Sequence, residues 1–353
     1  MSRARVASLA LASLGFWACN RTPKPPAPPA ERAAHLTAPV PETLAPAASA
    51  NQAAPDLPKA RHGVPGSKLK HVIVIAMENH DAEEIYGDAQ TAPYIHTLLA
   101  KYAHATSFED ELPLEVPSEG HYVWMEAGTH RFSDALFDDD SPPSSSVSTG
   151  SNLHLTRQIK NADTGLSWMT YQEGMNDETG ACPIAISGFY APKHNPFVFF
   201  RDIAGDPPAK DTPYCAQHHR PYSALRADLA GELASYVFIT PDQCHDMHWD
   251  RGCPAENPIR TGDRWLESEL PPLIAYAAQH DAVIFITFDE GGSTPKLPFL
   301  AIGTMVKKGY AGSERYDHSS QVKTVERILG LPALPTVASA NELGDLFEPG
   351  AYP

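Results

Sequence analysis

Four short runs of apolar, mostly β-branched or aromatic residues set the strongest limit on what this chain can fold into: HVIVIAM at 71–77, YVFIT at 236–240, AVIFITF at 282–288 and PFLAI at 298–302. A strand with one wet face alternates apolar and polar residues. These runs do not alternate, so both faces must be covered, as in a largely parallel sheet sandwiched by helices. Helical spacing fills the intervals. Residues 93–103 carry Ile95, Leu98, Leu99 and Tyr102, and residues 265–279 carry Leu266, Leu270, Leu273, Ile274 and Ala277. Pro271-Pro272 is expected to kink or restart the second of these helices. Residues 320–329 carry Val322, Val325, Ile328 and Leu329, and then Gly330 and Pro332 stop the helix. The alternation predicts an α/β domain over residues 68–353. Residues 132–151 are polar, rich in Ser and Pro, and read as a surface loop.

In open α/β sheets, ligands bind beyond the carboxyl ends of the strands. Three of these runs end in unusual polar clusters: Glu78-Asn79-His80-Asp81, Asp242-Gln243-Cys244-His245-Asp246-Met247-His248 and Asp289-Glu290. An acidic residue after one strand is commonly a helix cap. Three such clusters together point to a shared mixed oxygen and nitrogen metal site. Ser118 stands at the start of an apolar stretch that reads as a helix, whose free N–H groups can hold a phosphate. His318 leads into another helix.

The ordered set of segments resembles the phosphoesterase family of bacterial acid phosphatases and phospholipases C, within the alkaline phosphatase superfamily. The pieces are HVIVIAMENH at 71–80, Pro117-Ser118 with Tyr122 and Gly128, HNPF at 194–197, Thr240-Pro241 with Asp246-Met247-His248, Gly262-Asp263, Thr287 with Asp289-Glu290-Gly291, and His318-Ser319 with Glu326 and Gly330-Leu331-Pro332. The resemblance spans about residues 69–347. The resemblance implies an alkaline-phosphatase-like fold that hydrolyses phosphate esters with one or two divalent metal ions. Glu78, Asn79, Asp289 and Glu290 take the metal-binding positions, with Asp246 as a further ligand, and Ser118 takes the nucleophile's place. His318 and His248 are expected in proton transfer or phosphate binding. His121, His245 and Asp242 stand where relatives often have Asn, and are expected on the substrate side.

A phosphate ester repels an incoming nucleophile, so the site must neutralise its oxygens and hold attacking and leaving oxygens in line. The reading is a metal-dependent phosphomonoesterase acting through a phosphoserine. The alternatives are a phospholipase C or other phosphodiesterase, and, from another class, an inactive surface binding lipoprotein.

The 27 Lys and Arg against 43 Asp and Glu give a net charge of −16, which argues against nucleic acid as a partner. Residues 1–19 read as an export signal, with Arg3 and Arg5 before an apolar core. Cys19 stands where a lipoprotein signal is cut and lipidated, which would attach the protein to a membrane. Residues 20–67, rich in Pro and Ala, read as a disordered spacer. Export to the periplasm or its membrane surface makes disulfides possible. Cys182–Cys215 and Cys244–Cys253 are the favoured pairs because each closes a modest loop. A zinc site is the competing idea, although Cys244 and Cys253 lack the tight CxxC spacing of structural zinc.

Overall fold

All seven side chains of the first strand, β1 (His71–Met77), are buried, and so are those of β5 (Tyr236–Thr240) and β6 (Ala282–Phe288). Side chains alternate between the two faces of a strand, so complete burial means helices on both sides of the sheet. The computed structural model describes residues 67–353 except 114, 163 and 176–179; the expected signal, Cys19 and all but the last residue of the spacer lie outside the described residues.

The remaining strands are β2 (Ala103–Glu109), β3 (Trp168–Gln172), β4 (His219–Pro221), β7 (Lys296–Ile302) and β8 (Ala311–Gly312). The helices are α1 (Ala82–Tyr86), α2 (Pro93–Leu99), α3 (Ser118–Ala127), α4 (Leu155–Asn161), α5 (Arg201–Ala204), α6 (Pro213–His218), α7 (Leu225–Asp228), α8 (Pro258–Gln279) and α9 (His318–Leu329). The eight strands form one sheet in the order β4-β3-β5-β1-β6-β7-β2-β8. Only β7 runs against its neighbours β6 and β2; the other pairings are parallel. The expected largely parallel α/β sheet is therefore present, with β1 central between β5 and β6.

Two expectations needed correction. The helix expected over residues 93–103 stops at Leu99, and the chain turns into β2, whose core-facing Ala103, Ala105 and Phe108 alternate with more exposed residues. The N-terminus of α2 is held by a carboxylate from α8: Asp263 accepts the N–H groups of Tyr94 and Ile95 at 2.9 and 2.8 Å. Pro271-Pro272 does not restart α8, which begins earlier, at Pro258, and runs through both prolines. The carbonyls that lose a partner there belong to the exposed residues Glu267 and Ser268, where water can serve them.

Cys182–Cys215 and Cys244–Cys253 are disulfides, with Cα separations of 5.1 and 5.4 Å, so the favoured pairing holds. Disulfides fit an extracellular or periplasmic protein. Among the described residues no helix is long and apolar enough to cross a membrane.

Candidate active site

The sheet's hydrogen bonds continue past the ends of β1, β5 and β6 and draw the three polar clusters together. Glu78 N–H donates to the Asp246 carbonyl at 2.8 Å, and Asp289 N–H donates to the Met77 carbonyl at 3.0 Å. Asn79 N–H donates to Asp289 Oδ1 at 3.0 Å, and His248 N–H donates to Asp246 Oδ1 at 2.8 Å. Glu78, Asp246 and Asp289 have no solvent exposure. Two imidazoles close the group. His248 Nδ1 lies 3.3 Å from Glu78 Oε2, and His194 stands 3.4 Å from Glu78 Oε1 and 3.6 Å from Asp246 Oδ2.

Several of these buried atoms have no hydrogen-bond partner: Glu78 Oε1, Asn79 Oδ1, Asp246 Oδ2, Asp289 Oδ2 and His194 Nε2. Buried polar atoms are ordinarily paired, because each orphan forfeits its hydration. Burial pushes the Glu78 carboxyl up to about 7, and burial with the charge of Glu78 raises Asp246 and Asp289 well above the usual carboxylate range. Burial, then the Lys193 ammonium and His248, hold His194 well below an ordinary histidine, so its ring is neutral. Carboxylates that repel one another, a neutral imidazole and an amide oxygen, each with one unpartnered atom, form a donor set that fits a divalent cation. Glu78, His194 and His248 have ligand atoms within 4.8 Å of one another.

Ser118 opens α3 and is 3% exposed. Pro117 precedes it and offers no side-chain cap, and the first-turn N–H groups are taken elsewhere: Glu119 N–H donates to Asp140 Oδ1 at 3.1 Å and Gly120 N–H to the Pro117 carbonyl at 3.0 Å. Ser118 Oγ donates to Glu290 Oε1 at 3.2 Å, which ties the hydroxyl to the end of β6. Glu78, Asn79, Asp246, His248, Asp289, Glu290 and Ser118 are thus linked through direct contacts.

The other expected residues stand differently. His318, fully buried at the start of α9, donates from Nε2 to the Asp289 carbonyl at 2.7 Å and packs edge-on to Phe108 and Trp124. It supports Asp289 from behind. His121 has an acceptor at each ring nitrogen, the Pro117 carbonyl at 3.1 Å and Asp110 at 3.0 Å, which leaves neither for a substrate. Asp242 and His245 face Glu173, not Ser118: His245 Nδ1 is 3.0 Å from Glu173 Oε2 and 3.3 Å from Asp242 Oδ1. These three form the second group of described residues with ligand spacing. Glu173 and His245 also line a cavity of about 670 Å³ that includes neither Glu78, Ser118 nor Asp289.

Two residues without an assigned role in the sequence reading belong to the site. His194 was visible only inside the HNPF segment, where it resembles a buried histidine before a turn. Lys193 had no local signal. Its side chain is 17% exposed, and its charge acts on Glu78, Asp289, His194 and His248. Backbone strain gathers here as well. Five described non-glycine residues have positive φ, and Asn79, Asp140, Met247 and Trp249 among them flank this site. Such conformations persist where the surroundings impose them, often at functional sites.

Residues 98–332, more than half of the 353, match the Phosphoesterase family. No curated protein matches the sequence. Solved structures are similar at low identity. An alkaline phosphatase superfamily protein from Vibrio parahaemolyticus aligns with a TM-score of 0.48 and 13% identity, over 82% of this chain and 72% of its own. The PsFucS1 sulfatase from Pseudoalteromonas sp. gives 0.48 and 13%, over 81% and 73%. Murine ectonucleotide pyrophosphatase/phosphodiesterase 5, in complex with AMP, gives 0.47 and 11%, over 79% and 100%.

Proposed function

The chain belongs to the phosphoesterase family, and we propose that it is a metal-dependent phosphomonoesterase with Ser118 as nucleophile. Family membership supports phosphate-ester hydrolysis; the serine, the metal and the monoester preference are our reading. The observation that carries it is the Ser118 hydroxyl donating to Glu290 Oε1 at 3.2 Å, beside a buried donor set with orphaned atoms. Glu78, Asn79, Asp289 and Glu290 would hold the cation, with Asp246, His194 and His248 completing the donors around it. When bound, a divalent cation supplies the positive charge that phosphoryl transfer requires at the phosphate oxygens.

The chain's own residues do the rest. Glu290 accepts the Ser118 proton, leaving an oxygen lone pair for phosphorus. Ser118 Oγ bonds phosphorus, the ester P–O bond breaks, and the departing alkoxide takes a proton from solvent as Glu290 returns the Ser118 proton to solvent. Water then cleaves the phosphoserine and frees phosphate and Ser118. His318 and His121 are positioning residues: the first holds the Asp289 carbonyl, the second holds Pro117 immediately before the nucleophile. The disulfides support an exported protein, and lipidation at Cys19 would tether the domain beside a membrane.

Replacing Ser118→Ala in metal-loaded protein should lower kcat by at least ~10³-fold, the scale of losing a nucleophile, with unchanged metal content and unfolding midpoint. Retained turnover excludes Ser118. In the same assay p-nitrophenyl phosphate should be hydrolysed faster than bis-p-nitrophenyl phosphate or phosphatidylcholine; the reverse order assigns a diesterase.

A further inference from the structure

Tyr122 follows Ser118 by one turn of α3, and residues four apart on a helix share a face. Its side chain is wholly buried, and its hydroxyl has no hydrogen-bond partner. The polar group it faces is the Glu78 carboxylate, whose Oε1 is unpartnered as well. A phenol keeps its proton at neutral pH and an ionised carboxylate only accepts, so the two orphans complement one another. The ring has an equally definite neighbour. It stacks on the His194 imidazole, with centroids 5.1 Å apart and planes 15° from parallel, and Phe238 of β5 meets it edge-on at 6.3 Å.

One side chain thus bears on two of the donors around the proposed cation. The stack sets the plane of the His194 ring, whose nitrogens stand 3.4 Å from Glu78 Oε1 and 3.6 Å from Asp246 Oδ2. The backbone beneath that ring is fixed separately, because Thr240 Oγ1 donates to the His194 carbonyl at 3.1 Å. Carboxylates and imidazoles that bind a metal are aimed by the groups behind them, and losing such a group weakens metal binding by about 10- to 100-fold.

We infer that Tyr122 is a positioning residue of the metal centre: its hydroxyl orients Glu78, its ring orients His194, and through both α3 sets where Ser118 stands against the cation. Tyr122 is not itself a ligand. The inference rests on the metal-dependent reading above and names the side chain that joins the helix of the nucleophile to the metal donors.

The test is calorimetric titration of metal-free wild-type, Tyr122→Phe and Tyr122→Leu proteins with Mn²⁺, Zn²⁺ and Ca²⁺, comparing the ion that wild type binds most tightly. The unfolding midpoint of each metal-free protein is measured alongside, with kcat and KM for p-nitrophenyl phosphate on the metal-saturated samples. Tyr122→Phe keeps the stack and removes only the hydroxyl. It should bind the ion about tenfold more weakly, with a lower kcat and an unchanged KM. Its metal-free stability should not fall, because a buried hydroxyl without a partner is costly to keep. Tyr122→Leu also loses the stack and should bind more weakly still. Metal affinity of Tyr122→Phe within about threefold of wild type overturns the inference. A loss of affinity matched by a loss of metal-free stability also overturns it, and makes Tyr122 a packing residue. Either result, with wild type binding the ion and hydrolysing the ester, leaves the parent reading standing. A wild type that binds none of the three ions, or binds equally well after Glu78→Ala, fails the parent reading as well.

Discussion

Asp110 and His121 show how a single buried pair shapes the site without touching its ligand. Burial alone would lower the His121 pKa. The hydrogen bond and charge of Asp110, with smaller help from Asp289 and Glu290, override it and raise the ring to about 9. Geometry agrees, because both nitrogens face acceptors and the ring must carry both protons. A histidine whose folded pKa lies above its unfolded value of about 6.5 contributes stability that is complete below that value. The contribution is lost as pH rises through about 9. Asp110→Asn should therefore lower unfolding free energy by about 1–3 kcal/mol at pH ~6, and by much less at pH ~9.5. Urea unfolding at both pH values checks this; an equal deficit at both contradicts the pair. At this scale the sequence was legible where side-chain chemistry clustered locally, as in Glu78-Asn79 and Asp289-Glu290. It was not legible for Lys193, whose partners Asp140 and Glu78 lie far away in the chain.

At the scale of elements, the close approach of α8 to the 245–248 loop sets where Asp246 and His248 stand. A Cβ at Gly262 would lie 2.8 Å from the His245 carbonyl oxygen and would overlap the Met247 side chain. Gly262→Ala should cost about 1–3 kcal/mol of stability, as overpacking does. It should also reduce kcat, because the loop carrying Asp246 and His248 must shift. Chemical unfolding and steady-state rates measure both, and a variant unaltered in either shows that the loop is not braced by α8. The runs that became β1, β5 and β6 were readable because continuous apolar character leaves a central strand no other place. β2, β3 and β4 escaped because their burial is partial or they are short: β2 reads AHATSFE, and β4 has three residues. β7 was found as a strand, but its reversed direction depends on the turn after Asp289, which no periodicity encodes.

Across the whole molecule, the fold and the site have one cause. A parallel sheet buried on both faces sends its polar residues to the strand ends, and there β1, β5 and β6 lie side by side. The chain is acidic overall, with a net charge of −16, yet the proposed site handles an anionic ester, so its positive charge must be local. The most direct measurement of this account is to mix the protein with a phosphate ester labelled in its phosphoryl group, quench with acid during turnover, and map the label by peptide mass spectrometry. With divalent metal present the label should sit on Ser118, and chelated protein should carry none. Turnover with the label on another residue, or undiminished turnover in protein shown to be free of metal, would contradict it.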